Sequence, residues 1–426
     1  MLSYDNALRI ILADAHVLEA QDLPLDQTLG AITAQKIKAA EYLPPFHNSA
    51  MDGFAVISHM TRGASESNPI TLTVGGSTMA GDYPETASEF TAKGAPKSKG
   101  AWEIMTGAPV PETYDAVIPV ENINILAKNA QGWPSEISLI AMATEGKNIR
   151  KAGTDFCPGD LLMEKGIKIG PNHIMALAAL GLGKISVVKA PKVAIISTGK
   201  ELVDDMTMPL QPGQIRNSNA PYLLRSLAQF GIDARNEGTI FDEPEKFEQK
   251  IQELISKDIQ IILSTGAVSM GRHDFVPEGL KKTGAEILFH KCAIRPGKPI
   301  LFARLANGSY YFGLPGNPVS TAVGLRFFAY PLIRKLLGQP QEKPVKARLK
   351  NDFTKTAPFR FFQKAACEVT ADGQLIVTIL PGQESYRIKP MLQQNCWAVI
   401  PEDSLSVPAG NLIDIYPLSP ESGPII

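Results

Sequence analysis

Apolar residues along the chain follow different periods in different stretches. In the first twenty residues Leu8, Ile11, Leu12, Ala15 and Leu18 recur every three to four positions, the period of one helix face, and Ser3 or Asp5 can cap the start. Residues 42–50 (YLPPFHNSA) break any regular element, because paired prolines suit neither helix nor central strand. From about 51 to 143 the apolar runs are short and punctuated by Gly and Pro; ITLTVGG at 70–76 alternates as a strand should. Residues 87–100 are polar and rich in Lys, Gly and Ala, which predicts a surface loop. Residues 171–182 (PNHIMALAALGL) predict a helix, with Pro171 near its start and Gly183 after it.

The pattern shifts near residue 190. KVAIIS (192–197) predicts a buried strand ending in Thr198-Gly199, and IQIILS (259–264) another ending in Thr265-Gly266. Between them lie a predicted helix at 218–230, a short strand near 234–240, and a helix opened by Asp242 and Pro244 that runs to about 256. A strand near 310–314 and a helix over 317–337 close the block. Apolar strands alternating with helices predict a mainly parallel sheet covered on both faces. After Pro344 the chain returns to strands (VKARLK, FRFFQKAACEVT, QLIVTIL, CWAVIP, NLIDIYPL), with Asp372-Gly373 as a hairpin signal, and predicts a small all-β domain.

Composition narrows the function. With 42 Lys+Arg against 43 Asp+Glu, the net charge of −1 argues against a strongly basic nucleic-acid binder. A length of 426 residues leaves room for several cores. The longest apolar stretch, Met175 to Gly183, falls short of the roughly 20 residues that span a bilayer. The N-terminus has no long apolar run of the signal-peptide kind. Cys157, Cys292, Cys367 and Cys396 form no CxxC pair, so no structural zinc site is expected, and reduced thiols in a cytoplasmic protein are.

The chemistry gathers at strand ends, where open α/β sheets bind ligands. One strand delivers Ser197-Thr198-Gly199-Lys200-Glu201. The next delivers Ser264-Thr265-Gly266-Ala267-Val268-Ser269 and then Asp274. A third delivers Gly313-Leu314-Pro315-Gly316-Asn317-Pro318 and then Ser320. Three loops of small residues at strand ends suggest an anion cradle, since glycine lets backbone N–H groups approach a phosphate. Glycine also serves ordinary strand–helix loops, so each loop alone is equally a turn. None matches GxxxxGKS or a spaced GxGxxG. Arg295-Pro296-Gly297-Lys298-Pro299 offers two cations to an oxyanion, or is a solvated turn. Glu201, Asp242 and Asp274 follow strand ends and are oxygen donors of the kind Mg²⁺ takes; for Asp242 and Asp274 helix capping is the competing reading. No Ser–His or Cys–His catalytic pairing is evident.

In order and spacing these motifs resemble one family: the molybdopterin molybdenumtransferases, the bacterial MoeA proteins, related to the plant molybdenum insertase and the gephyrin E domain. The segments that carry the resemblance are PPFHNSAMDGFAV (44–56), MTGAPVP (105–111), DAVIPVE (115–121), STGKEL (197–202), GQIRNSN (213–219), STGAVSMGRHDF (264–275), RPGKP (295–299) and GLPGNPVS (313–320), which together cover nearly the whole chain. The resemblance implies insertion of molybdenum from molybdate into adenylylated molybdopterin, with release of AMP and with Mg²⁺ or a similar divalent ion. The alternative is a non-catalytic molybdopterin-binding or scaffold protein of the gephyrin type.

The resemblance also implies an α/β and β multidomain architecture. A discontinuous, helical linker and dimerisation domain takes 1–43 plus 144–188, a β-rich domain with the MDG motif 44–143, an α/β molybdopterin-binding domain 189–338, and a small C-terminal β-barrel 339–426. It implies a cytoplasmic homodimer whose cleft is shared between subunits, with Asp52 and Thr106 acting in trans. A transient contact with the molybdopterin adenylyltransferase is implied too, and neither nucleic acid nor membrane is a partner. Asp52, Thr106, Glu201, Asp242 and Asp274 become the expected catalytic residues, with Glu201 and Asp274 at the metal. Asp155, Ser264, Gly266, Ser269, Arg295, Lys298, Pro315, Gly316, Asn317 and Ser320 become the expected ligand contacts. Three positions depart from the usual pattern: Lys200 replaces an Asp, Ala267 replaces a second Gly, and Arg216-Asn217 stands where an aromatic or aliphatic residue and then Asn or Asp are typical.

Overall fold

A computed structural model describes residues 1–82, 100–241, 243–268 and 275–420. Most of the loop expected at 87–100 lies outside the described residues. The chain forms two compact units. One comprises residues 1–35, 165–170 and 184–426; the other comprises 36–164 and 171–183.

In the second unit, a six-stranded sheet is built from Gly53–Val56, Ile70–Thr78, Gly100–Ile104, Ala116–Pro119, Ile123–Lys128 and Pro134–Leu139. Its two faces hold separate small cores. Phe54, Val56, Ile118 and Ile137 belong to one, and Ala55, Trp102, Ile104 and Val117 to the other. Neighbouring residues of a strand therefore sit on opposite sides, as the two-residue strand period requires. The helix Pro171–Ala179 also belongs to this unit.

The first unit opens with α1 (Tyr4–Asp14). Ser3 caps it by accepting a hydrogen bond from the N–H of Asn6 at 3.3 Å. The helix stops at Asp14, and strand Ala20–Pro24 follows it. Strand Lys184–Val188 pairs with both Ala20–Pro24 and Ile32–Thr33, so a segment from beyond the second unit completes a sheet begun before it. The linker segments hold two helices and more short strands than the helical domain expected from the resemblance. The backbone of this region spends its hydrogen bonds between segments distant in sequence, which no local periodicity announces.

The α/β region consists of β1 (Val193–Thr198), α2 (Asn219–Phe230), β2 (Ala234–Ile240), α3 (Pro244–Ser256), β3 (Ile261–Thr265), α4 (Val276–Lys282), β4 (Glu286–His290), β5 (Leu301–Arg304), β6 (Tyr310–Leu314) and α5 (Pro318–Gly324). The sheet order is β2-β1-β3-β6-β5-β4; the first four strands are parallel and the last two antiparallel. Val193, Ile195, Ile261, Leu263 and Phe312 face one core with Leu223 and Leu227 of α2. Ala194, Ile196, Ile262 and Tyr311 face the other with Phe247 and Ile251 of α3. A sheet covered on both faces needs apolar side chains at every strand position, which is why these strands read as unbroken runs. After α5 the helix continues through a wider π turn, Leu325–Ala329, into Tyr330–Leu336.

The C-terminal strands are β7 (Val345–Leu349), β8 (Arg360–Val369), β9 (Leu375–Ile379), β10 (Cys396–Ile400) and β11 (Leu412–Pro417). They pair in the order β8-β9-β7-β11-β10, and β10 returns to β8, closing a five-stranded barrel. The short strand Ile294–Arg295 from the α/β region pairs in parallel with β8, Arg295 opposite Phe361. That pairing fixes the RPGKP segment to the barrel.

Candidate active site

Parallel register aligns the carboxyl ends of the central strands. Ser197 stands opposite Thr265, and Thr265 opposite Leu314. The loops that follow touch one another. Gly266 has φ +91°, and its N–H donates to the carbonyl of Leu314 at 3.0 Å. A Cβ on Gly266 would lie 2.4 Å from the Thr198 carbonyl oxygen, and one on Gly316 would lie 3.7 Å from the Gly266 Cα. Only bare backbone fits at Gly266, whereas a Cβ at Gly316 would make an ordinary contact. Asn219, the first residue of α2, holds the third loop in place by donating from Nδ2 to the Gly316 carbonyl at 2.7 Å. Thr321 donates from Oγ1 to the carbonyl of Pro315 at 2.7 Å.

Gly199 has φ +142°, and a Cβ there would come within 2.6 Å of Glu201 Oε1. The Glu201 carboxylate therefore folds back over the strand-end turn, a position only glycine permits. Ala267 adopts φ +47°. An L-residue in this left-handed region carries a cost of about 1 kcal/mol that the usual glycine would not. Ser264 is fully buried, and its Oγ accepts from the Tyr311 hydroxyl, so it serves the sheet rather than an open surface. Asp242, Ser269 and Asp274 lie outside the described residues.

Beside these loops lies a cleft of about 880 Å³. The structure brings five of the expected contacts together in its lining: Arg295, Lys298, Pro315, Asn317 and Ser320. Arg295 and Lys298 are exposed. Arg295 Nη1 donates to Thr356 Oγ1 at 3.1 Å, and its guanidinium lies 5.6 Å from the ring centre of Phe361. Lys298 Nζ is 5.9 Å from the ring centre of Phe359. Aromatic faces attract cations, so the two rings steer both charged heads along the cleft wall. A further part of the lining wall comes from the barrel and includes Gln363, Gln383, Ser385 and Tyr386. Sequence reasoning missed that wall. Its one local signal is the Pro381-Gly382 turn after β9, which says nothing about proximity to residues 295–320.

Asp52 and Thr106 come together in the second unit. Asp52 Oδ1 accepts from the Thr106 N–H at 2.6 Å and from Thr106 Oγ1 at 2.7 Å. The backbone donor first and the hydroxyl second hold the Asp52 carboxyl below its usual range. Asp155, also in this unit, is exposed, and its N–H donates to the carbonyl of Leu43 at 2.9 Å.

Known proteins match along the whole length. Residues 2–181 match the MoeA N-terminal region (domain I and II), 194–335 the probable molybdopterin binding domain, and 346–418 the MoeA C-terminal region (domain IV). A molybdopterin molybdenumtransferase of Synechococcus elongatus is 34% identical over 421 residues, which cover 98% of this chain and 100% of that protein. One of Bacillus subtilis is 32% identical, with 98% and 94% covered. The crystal structure of a molybdopterin biosynthesis moea protein from Pyrococcus horikosii superposes with a TM-score of 0.81 at 28% identity, covering 98% of this chain and 99% of that one. With its closed C-terminal barrel, its parallel α/β sheet and relatives similar from end to end, the chain belongs to the molybdopterin molybdenumtransferase (MoeA) family, enzymes of molybdenum cofactor biosynthesis.

Proposed function

We propose that the chain transfers molybdenum from molybdate into the dithiolene of adenylylated molybdopterin and releases AMP. The observation that carries this reading is the cleft in which Arg295 and Lys298 share a lining with Asn317 and Ser320, next to the glycine contact of Gly266 and Gly316. Both substrates are anions. Arg295, with its planar fork, and Lys298, as a point charge, suit molybdate or a phosphate oxygen. The bare backbone required at Gly266, with the side-chain-free Gly316 beside it, suits a phosphate approaching the strand ends. The chemistry is ligand exchange at molybdenum together with cleavage of the phosphoanhydride, and molybdenum keeps its oxidation state.

Among the described residues no three His, Cys, Asp or Glu side chains converge, so they build no all-protein metal cage. The Glu201 carboxylate beside Gly199 is nevertheless the kind of oxygen donor that Mg²⁺ takes when it keeps waters and shares phosphate oxygens. Glu201, with Asp274, would hold such an ion, which would neutralise charge on the phosphoanhydride. Family resemblance supports the further reading of a cytoplasmic homodimer in which Asp52 and Thr106 act in trans, with transient contact to the adenylyltransferase.

The test is AMP release from adenylylated molybdopterin by the purified protein with Mg²⁺, with and without molybdate. Molybdate-dependent release with molybdenum in the product pterin is expected. Tight substrate binding without release under either condition would refute the reading.

A further inference from the structure

The barrel wall of the cleft is the segment 380–388, which follows β9. Strand β9 ends at Ile379, opposite Ala365. One residue earlier on β8, the peptide of Lys364 therefore faces a place the ladder no longer fills. Gln383 fills it with its side chain. Its Oε1 accepts from the Lys364 N–H at 3.0 Å, and its Nε2 donates to the carbonyls of Lys364 at 2.8 Å and Leu380 at 2.7 Å. The N–H of Leu380 also donates to the Lys364 carbonyl at 3.0 Å.

Lys364 answers in the other direction. Its side chain is 0% exposed, and its Nζ donates to the carbonyls of Arg387 at 3.1 Å and Glu384 at 3.3 Å. Burying an ammonium is costly, and burial pulls the Lys364 pKa down. An unbranched apolar side chain would fill the same space between β8 and the segment without that cost. What the ammonium adds is the placement of two loop carbonyls. A third tie joins the segment to α5: the Ser385 carbonyl accepts from the Val319 N–H at 3.0 Å, in the first turn of α5 and next to Ser320. Held in this way, Gln383, Ser385 and Tyr386 line the cleft together with Arg295 and Lys298.

We propose that Lys364 and Gln383 form a reciprocal lock on segment 380–388, and that Lys364 is thereby a positioning residue for the oxyanion substrate of this cleft. The inference rests on the reading of the cleft as the molybdate site. A lock that shapes one wall acts on the binding of the small anion and leaves the rest of the substrate alone.

Lys364→Met and Gln383→Leu are each expected to raise the KM for molybdate about tenfold, with kcat at saturating molybdate within about twofold of wild type. The affinity for adenylylated molybdopterin stays unchanged. The double variant is no worse than either single one, because a lock is lost once. Equal losses of kcat and thermal stability, with KM unchanged, would show a merely structural role and overturn the proposal; additive KM effects would show two independent contributions and do the same. If Lys364→Met does not fold, Gln383→Leu decides, since it keeps the buried charge. Equilibrium dialysis with molybdate separates the two levels of inference. Binding lost in Arg295→Ala and Lys298→Ala but intact in the lock variants overturns the lock. Binding intact in Arg295→Ala and Lys298→Ala overturns the cleft reading itself.

Discussion

Asp52 shows how much of an acid's character comes from its immediate donors. Its carboxyl is held low by the Thr106 N–H and, second, by the Thr106 hydroxyl. Because the folded value lies below the unfolded one, the contact is complete above the ordinary carboxylate pKa of about 3.9 and is lost as pH falls through the depressed folded value. Thr106→Val removes the hydroxyl and keeps the backbone donor. Asp52 is expected to titrate higher in that variant than in wild type, yet still below an ordinary carboxyl. A carbon-detected NMR titration of the Asp52 side chain checks this, and an unchanged titration would refute it. Residues of this kind were legible because short motifs carry them: Asp52 in MDG, Glu201 in TGKEL, Arg295 and Lys298 in RPGKP. Lys364 was not. Within FRFFQKAACEV a lysine reads as an exposed, outward-facing strand position; it does lie on the face away from the barrel core of Phe361, Ala365 and Cys367, and the segment at 384–387 buries it there. Asn219 was not legible either: it stands at the start of the predicted 218–230 helix, and nothing local says that its amide holds the Gly316 carbonyl.

Among elements, the central parallel strands β1, β3 and β6 were the most legible, since their apolar runs follow directly from cover on both faces; the edge strand β2, ARNEGTI, carries no such run. The antiparallel edge, β4 and β5, was not foreseen as a pair, because the two short strands are joined through the RPGKP segment rather than a tight turn. The junction of β1 and α2 turns on one side chain. Asn217 is 2% exposed; its Nδ2 donates to Ser197 Oγ and Asp204 Oδ1, both at 2.8 Å, and its Oδ1 accepts from the Ala220 N–H at 3.2 Å. Asn217, where Asn or Asp is typical, thus puts a fully engaged amide where strand end meets helix start, and of the pair only Arg216 departs from the usual pattern. Asn217→Leu would leave the buried Ser197 hydroxyl and the Ala220 N–H without these partners. A loss of about 2–4 kcal/mol is expected, read as a fall in the urea midpoint. A midpoint within error of wild type would show that these bonds are replaced by water.

For the whole molecule, the proposed dimer makes a prediction that no monomeric site can imitate. Asp52→Asn and Lys298→Ala subunits are each expected to be inactive alone. When they are coexpressed, half of the dimers are mixed. In a mixed dimer with sites completed in trans, one site receives both substitutions and the other receives neither, so about a quarter of wild-type activity returns. With sites completed within one subunit, nothing returns. The molecule-scale layout was legible in outline, since shifts in apolar period mark the α/β block and the C-terminal strands. The entry and exit of the chain around the second unit were expected only from the family resemblance and not from apolar period, because a single strand, Lys184–Val188, carries that information through pairing rather than composition.

The parallel pairing of Ile294–Arg295 with β8 has a consequence for synthesis. The six strands of the α/β sheet are all present once residue 314 has been made, and the glycine contact at Gly266 and Gly316 needs nothing later than the start of α5. The support for Arg295 is made last. Thr356 and Phe361 take their places only with the barrel, and the barrel cannot close until β11, at residues 412–417, is available to join β7 to β10. A nascent chain thus carries the proposed phosphate cradle well before it carries the finished cleft proposed for molybdate. A product truncated before residue 412 would lack the closed barrel against which its cation pair is aligned.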